Sequence, residues 1–324
     1  MKRPIHYVLL FVIALVSCQR QTNQHEDQVG QPERIEPEAD YEAISLLGTK
    51  LHRPVLSEEE SAHKDSMLMV AEMKYDDQPK DLDNIIWLGR RIAYLGRYTD
   101  AIQIYTEGLE IYPESYKLYR HRGHRYISIR KFDKAVRDLK KAAHLIEGKP
   151  IEIEPDGIPN ELNKPLSNTH FNIWYHLGLA YYLKHDFEEA AKAYEQCLKY
   201  SKNDDLFCAT AYWLYMTYRR SEEKQSAKKL LSKVHSKMKL IENKDYYDHL
   251  LLYKGLKKEK DIINWEDHEY SDYGIATRGY GLGNWHLYSG DKEKGMSIFK
   301  KIVDGEAWWS FGYIAAESEL AHAK

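Results

Sequence analysis

Residues 171–204 read FNIWYHLGLAYYLKHDFEEAAKAYEQCLKYSKND. Gly178 and Ala190 are small, whereas Trp174, Tyr181 and Tyr194 carry large rings. Small residues at a contact let two antiparallel helices approach closely, and large rings fill the space between one helix pair and the next. The same residue types return upstream at a constant interval. Gly89 and Gly123, Ala101 and Ala135, and Pro79 and Pro113 each stand 34 residues apart. A fixed period of this length is the signature of a repeat architecture, whose units bury their apolar faces only against one another.

Period and residue types together resemble the tetratricopeptide repeat. The first unit runs about 82–115 with Leu88-Gly89, Ala101, Tyr105 and Pro113; the second runs about 116–149 with Tyr119, Gly123, Tyr126, Ala135, Leu139 and Ala142. Residues 171–204 form the third. A weaker fourth carries Ala211, Tyr215, Tyr218, Ala227 and Leu231 within 171–239, the span of units three and four. A fifth, about 276–303, has Leu282-Gly283, Gly295 and Phe299. Glycine replaces the usual alanine at 295, which predicts a looser unit, because helical glycine costs about 1 kcal/mol relative to alanine.

The resemblance implies an all-α fold: a right-handed α-solenoid of about five helix pairs plus capping helices, ten to thirteen helices with no sheet. Residues 43–81 read as an N-terminal capping region, with Ser57-Glu58-Glu59-Glu60 as a capping box. Residues 240–275 read as an irregular bridge with a helix at 246–256. The span 276–324 comprises the degenerate fifth unit and a terminal helix, WWSFGYIAAESELAHA (308–323), expected to cap the last repeat with one apolar face. Residues 150–170 are an insertion in which Pro150, Pro155, Pro159 and Pro165 forbid a long helix.

The chain has 324 residues, 43% hydrophobic and 30% charged, with formal net charge −3. Those values support a real core and exclude collagen-like and wholly disordered classes. No global basic field exists to recruit nucleic acid. Tyrosine stands out, at 26 residues against 7 Phe and 7 Trp.

Met1-Lys2-Arg3 and the apolar run 5–16 read as residues 1–17 of an export signal. Leu15-Val16-Ser17-Cys18 resembles the bacterial lipobox, which implies cleavage before Cys18 and lipidation of its thiol. The alternatives are an ordinary secretory peptide or an anchor with an incidental cysteine. Gln19 stands where aspartate would retain an enterobacterial lipoprotein at the inner membrane. The expectation is therefore an outer-membrane lipoprotein whose folded part faces the periplasm or the exterior. Residues 18–42 are polar and acidic, too poor in apolar surface to fold, and read as a tether.

Metalloprotease, nucleophile-elbow, phosphate-loop and paired-cysteine motifs are all absent. Ser-x-x-Lys at Ser221/Lys224, Ser226/Lys229 and Ser236/Lys239 has no companion element and reads as the spacing of a lysine-rich face. The chain is expected to be no enzyme, with no cofactor. His121 and His124 lie among Arg120, Arg122 and Arg125, whose charge opposes a metal ion. His176 reads as a packed histidine. Cys197 and Cys208 flank a helix-to-helix turn, close enough in sequence for a disulfide; the alternative is that Cys197 fills a small-residue core position. A minor alternative is a hydrolytic site beneath the insertion, with Glu152, Glu154 and Asp156 near His170.

The resemblance also implies which residues line the concave face. Mapped onto this chain they are Arg90, Tyr94, Lys117, Arg120, His124, Asn172, Tyr175, Tyr182, Tyr212, Arg219, Tyr280 and Asn284. Arginine and tyrosine carry much of the energy at interfaces. The expected partner is an envelope protein or extended peptide, acidic enough to pair with Arg90, Lys117 and Arg120. The carboxylate-clamp repeats of chaperone adaptors are similar in outline, but Arg90 and His124 depart from their lysine and asparagine. Glycan binding by the groove aromatics is the alternative.

Overall fold

The computed structural model describes residues 41–155, 160, 162, 164–265 and 270–323. The lipobox with Cys18, nearly all of the tether, and Asp156 lie outside these residues. Among them are thirteen α-helices: α1 (Glu58–Asp77), α2 (Leu82–Tyr94), α3 (Tyr98–Ile111), α4 (Tyr116–Ser128), α5 (Phe132–Leu145), α6 (Thr169–Leu183), α7 (Phe187–Tyr200), α8 (Asp204–Arg220), α9 (Lys224–Leu231), α10 (Lys244–Tyr253), α11 (Asp272–Ser289), α12 (Lys292–Val303) and α13 (Phe311–His322). Side chains start most of them. Ser57 and Glu60 form the reciprocal capping box of α1, and Asp81, Ser115, Asn168, Asn203, Ser271 and Ser310 each accept a first-turn N–H.

The pairs α2/α3, α4/α5, α6/α7, α8/α9 and α11/α12 stack in chain order as a solenoid, with α5 packing on α6 across the insertion. Within a pair the small residues set the approach. A Cβ added at Gly178 would sit 2.8 Å from the Tyr194 ring. At Gly295 it would meet the Gly283 carbonyl oxygen at 2.7 Å. The fifth pair is therefore close rather than loose, because glycine there admits backbone contact.

Between the fourth and fifth pairs the bridge is anchored by one buried carboxylate. Asp205 accepts the N–H groups of Ile241, Glu242 and Asn243 at 2.8–3.2 Å. That fixes the approach to α10, which packs on both α8 and α11.

Two expectations are corrected. A small antiparallel ribbon is present, β1 (Ala43–Ile44) with β2 (Lys50–Leu51), turned through Gly48 at φ 91°. The folded part consequently includes Glu42, which accepts from Thr99 N at 3.2 Å and pairs with Arg53 at 2.6 Å. The second correction concerns α13. Every residue from Gly312 to Leu320 is buried, so α13 is not a cap with one apolar face. It packs on α11 and α12, touches α6, and meets the turn of the ribbon through Glu317, which accepts the Leu46 N–H; just ahead of it, Trp308 Nε1 donates to the His52 carbonyl at 2.7 Å. A helix buried all round is an interior element.

Candidate functional site

Five turns join the two helices of each pair, and each contains one residue with a left-handed backbone: Gly96 (φ 77°), Arg130 (62°), His185 (60°), Glu222 (61°) and Gly290 (101°). Non-glycine residues are disfavoured there by roughly 1–2 kcal/mol. Two of the three non-glycine side chains reach the interior helix. Arg130 binds Glu317 through Nη2 at 2.6 Å and also donates to the Trp308 carbonyl at 2.9 Å and the Ser128 carbonyl at 2.5 Å. His185 stacks on His322 with ring centroids 3.7 Å apart. Its Nε2 lies 3.6 Å from Glu319, yet burial, reinforced by Arg220 and His322, pushes its pKa down to about 3, so the contact is not an ion pair at neutral pH. Arg220 supplies the charge: it pairs with Glu319, which also accepts from the Tyr280 hydroxyl at 3.3 Å.

α13 thus occupies the inner face of the later repeats, and several expected groove residues are closed off beneath or beside it. Tyr182, Tyr280 and Asn284 are buried in one hydrogen-bonded cluster, with Tyr280 donating to Tyr182 at 2.7 Å and Asn284 to Tyr280 at 3.0 Å. Tyr175 is buried near Phe311, centroids 6.4 Å apart, and Tyr212 stacks on Tyr246 at 4.5 Å. Asn172 is buried and donates to Ser167 at 3.1 Å. His124 lies 4.2 Å from the His176 ring and 5.5 Å from Phe311. Burial, with Arg125 next, holds His124 well below the usual histidine pKa. Arg219 stacks over Tyr288 at 4.2 Å and donates to Tyr215 at 3.0 Å. These residues pack or are covered because rings from successive repeats interlock, and a helix buried on nearly every side fills the remaining space.

The earlier repeats differ. Arg90, Tyr94, Lys117 and Arg120 come together, on α2 and α4, and an extended acidic stretch of the insertion lies across them. Lys117 pairs with Glu152 at 3.0 Å and Arg120 with Glu154 at 2.9 Å. Arg90 donates to the Pro155 carbonyl at 2.9 Å and, through Nε and Nη2, to the Tyr94 hydroxyl at 3.3 and 3.0 Å. The Arg90 guanidinium also lies 4.5 Å from the Trp87 ring centre. Burial works against the charge on Lys117, but the bond to Glu152 raises its pKa above the ordinary lysine value. The acidic stretch is itself held extended by a short antiparallel pairing: Glu154 N–H donates to the Ser167 carbonyl and Thr169 N–H to the Glu152 carbonyl, each at 3.0 Å. This is the peptide-like geometry expected of a groove ligand, supplied by the chain itself.

The hydrolytic arrangement is not assembled among the described residues. Glu152 and Glu154 face the α4 cations, and His170 stacks on Tyr200 at 4.6 Å with its pKa lowered by burial. Cys197 and Cys208 are not bonded to each other. Cys197 Sγ lies 3.2 Å from Thr210 Oγ1, whereas Cys208 Sγ turns toward Met238 Sδ at 3.6 Å, so their helices aim the thiols at different neighbours. Burial pushes both pKa values up to about 12, which leaves neither thiol reactive.

A sequence signal for the turn residues exists. Gly96, Arg130, His185 and Gly290 each follow a helix glycine (Gly89, Gly123, Gly178 and Gly283) by seven residues. Charged or imidazole side chains at a position that prefers glycine mark a compensating contact. For the carboxylate partners on α13 nothing comparable stands out.

A family model for the tetratricopeptide repeat matches residues 171–204. The chain thus carries a tetratricopeptide repeat at α6 and α7. Its helix-pair stack is accordingly an all-α tetratricopeptide-repeat solenoid. Similar solved structures include a tetratricopeptide repeat protein from Parabacteroides merdae ATCC 43184, at 14% identity over 79% of this chain and 94% of that one, TM-score 0.47. YrrB, described as a TPR protein with an unusual peptide-binding site, is 13% identical over 72% and 91%, TM-score 0.41. MamA AMB-1 is 20% identical over 53% and 88%, TM-score 0.40. No curated protein matches the sequence.

Proposed function

We propose that this tetratricopeptide-repeat protein is a protein-binding scaffold that takes extended polypeptide across Arg90, Lys117 and Arg120, and that lipid on Cys18 holds it at the outer membrane. The observation that carries the binding reading is the Glu152–Pro155 stretch, which lies extended on that strip through two ion pairs and a main-chain contact. Solenoids offer such continuous inner surfaces because each repeat adds a similar helix to the same face. The anchor rests on the lipobox-like residues 15–18. In-cell crosslinking tests the scaffold: a partner captured by the native protein should be lost with Lys117→Ala/Arg120→Ala. Capture of the same partner by the folded variant would refute it. Radiolabelled palmitate should enter the native chain and not Cys18→Ala; equal labelling would remove the anchor.

A second reading, glycan binding, has one observation in its favour. A cleft of about 530 Å³ between α5, α6 and α7 is lined by Trp174, Tyr181 and Tyr200, with Lys140, Lys192 and Gln196 alongside. Aromatic faces stack on sugar rings, whereas the groove tyrosines named for that role are largely buried. Tryptophan-fluorescence titration with soluble peptidoglycan fragments, native against Trp174→Phe, decides it; no saturable change in the native protein rules it out.

A further inference from the structure

The Arg90–Lys117–Arg120 strip is already occupied, and the occupant defines what else fits. Carboxylates two residues apart on an extended chain point to the same side, about 7 Å apart along the backbone. Glu152 and Glu154 use that spacing to reach Lys117 and Arg120, one helical turn apart on α4. Arg90, on the neighbouring α2, takes the main-chain carbonyl that follows, at Pro155. The site therefore reads two carboxylates, their register and one carbonyl, and it reads no feature unique to this segment.

The occupant's fit is incomplete. Arg120 and Glu154 are paired at one oxygen, each side chain 10% exposed, but Arg120 Nε and Glu154 Oε1 are buried with no hydrogen-bond partner. A bidentate arginine–carboxylate pair would satisfy both atoms. The Lys117–Glu152 pair is about 35% and 45% exposed, and such pairs contribute little net stability. Two main-chain hydrogen bonds to 167–169 hold this stretch from behind, so it can leave the strip only by giving up a short pairing rather than a helix or a core.

We propose that residues 151–155 are an internal competitor, and that the strip beneath them binds a partner's extended Glu-x-Glu segment in their place. This rests on the protein-binding reading above and adds the ligand's chemistry and its control: binding in trans requires release in cis. A site open only part of the time shows its intrinsic affinity reduced by the open fraction.

The test uses an acetylated, amidated peptide of the chain's own residues 149–155, KPIEIEP, and the same peptide with both glutamates changed to glutamine. Binding is measured by fluorescence anisotropy to the full folded chain and to Glu152→Gln/Glu154→Gln, whose substitutions keep the segment's shape and remove its charge. The variant should bind the acidic peptide about ten-fold more tightly than the unaltered chain, ignore the glutamine peptide, and lose binding when Lys117→Ala/Arg120→Ala is added. Equal affinity of variant and unaltered chain would overturn the internal competition while leaving the groove reading intact. Failure of the folded variant to bind would overturn the Glu-x-Glu ligand, with the groove itself judged by the crosslinking above. A second measurement needs no variant. Saturating acidic peptide should speed amide exchange at Glu154, whose N–H is bonded to the Ser167 carbonyl. Binding without that change would refute displacement.

Discussion

Glu317→Ala offers the most direct test of whether α13 is an interior element. The Glu317 carboxylate is fully buried and Arg130 is 2% exposed. Its oxygens receive Arg130 Nε at 3.2 and 3.3 Å and Nη2 at 2.6 Å, and also accept the Leu46 N–H. Truncation leaves a buried guanidinium with only the Ser128 and Trp308 carbonyls, and leaves the Leu46 donor unsatisfied. Breaking a buried pair by deleting one member costs roughly 3–5 kcal/mol, and an orphaned donor adds about 1–3 kcal/mol. Typical domains have only about 5–15 kcal/mol in total, so the variant should unfold at a much lower urea concentration, read by far-ultraviolet circular dichroism at pH 7.5. Arg130 allows an internal check, because its φ of 62° favours glycine. Arg130→Gly and Arg130→Ala both delete the charge, but glycine relieves the left-handed backbone, so it should be about 1 kcal/mol less damaging. Arg130→Met/Glu317→Leu, removing both charges, should recover most of the loss. A cost below about 1 kcal/mol for Glu317→Ala, judged against the 3–5 kcal/mol expected of a buried pair, would refute the interior placement of α13.

The same turn logic predicts that Glu222→Gly, at an exposed left-handed position, stabilises the protein by about 1 kcal/mol; an unchanged urea midpoint would contradict it. Gly295→Ala should destabilise by about 1–3 kcal/mol despite alanine's higher helix propensity, because the new Cβ meets the Gly283 carbonyl at 2.7 Å; a rise in melting temperature would show that α11 and α12 can separate. Stability should fall on acidification from pH 7.5 to 5.5. His185 is held at a pKa of about 3 mainly by burial, so below the unfolded value near 6.5 the unfolded chain binds a proton the folded chain excludes; the loss at pH 5.5 is about 1.4 kcal/mol from this residue. His121, His124 and His176, also lowered by burial, act with the same sign. A urea midpoint that holds or rises at pH 5.5 would refute this.

Much of the groove was legible before its occupant was. Arg90, Lys117 and Arg120 fall on one face by repeat register alone, and an acidic extended ligand follows from their charge. Glu152 and Glu154 were visible too, but a Pro-rich loop carries no periodicity that says where it lies. Only its pairing with 167–169 and the α4 cations shows that it lies across the strip. Tyr182, Tyr280 and Asn284 illustrate the opposite failure: register places them on the inner face but cannot tell whether that face is open.

Local sequence by itself determined the helix pairs, since small and large residues at a 34-residue period specify the contacts between neighbours, and capping side chains specify where helices begin. Contacts between distant segments were decided only by the tertiary structure. The pairing of Arg130 with Glu317 spans 187 residues and that of Arg220 with Glu319 spans 99. Such a choice depends on the shape left at the centre of the folded stack, which no short-range pattern encodes. The helix 311–322 fills that space because its buried polar groups find partners there, and a solenoid that could have presented an open face becomes one whose inner surface is already in use.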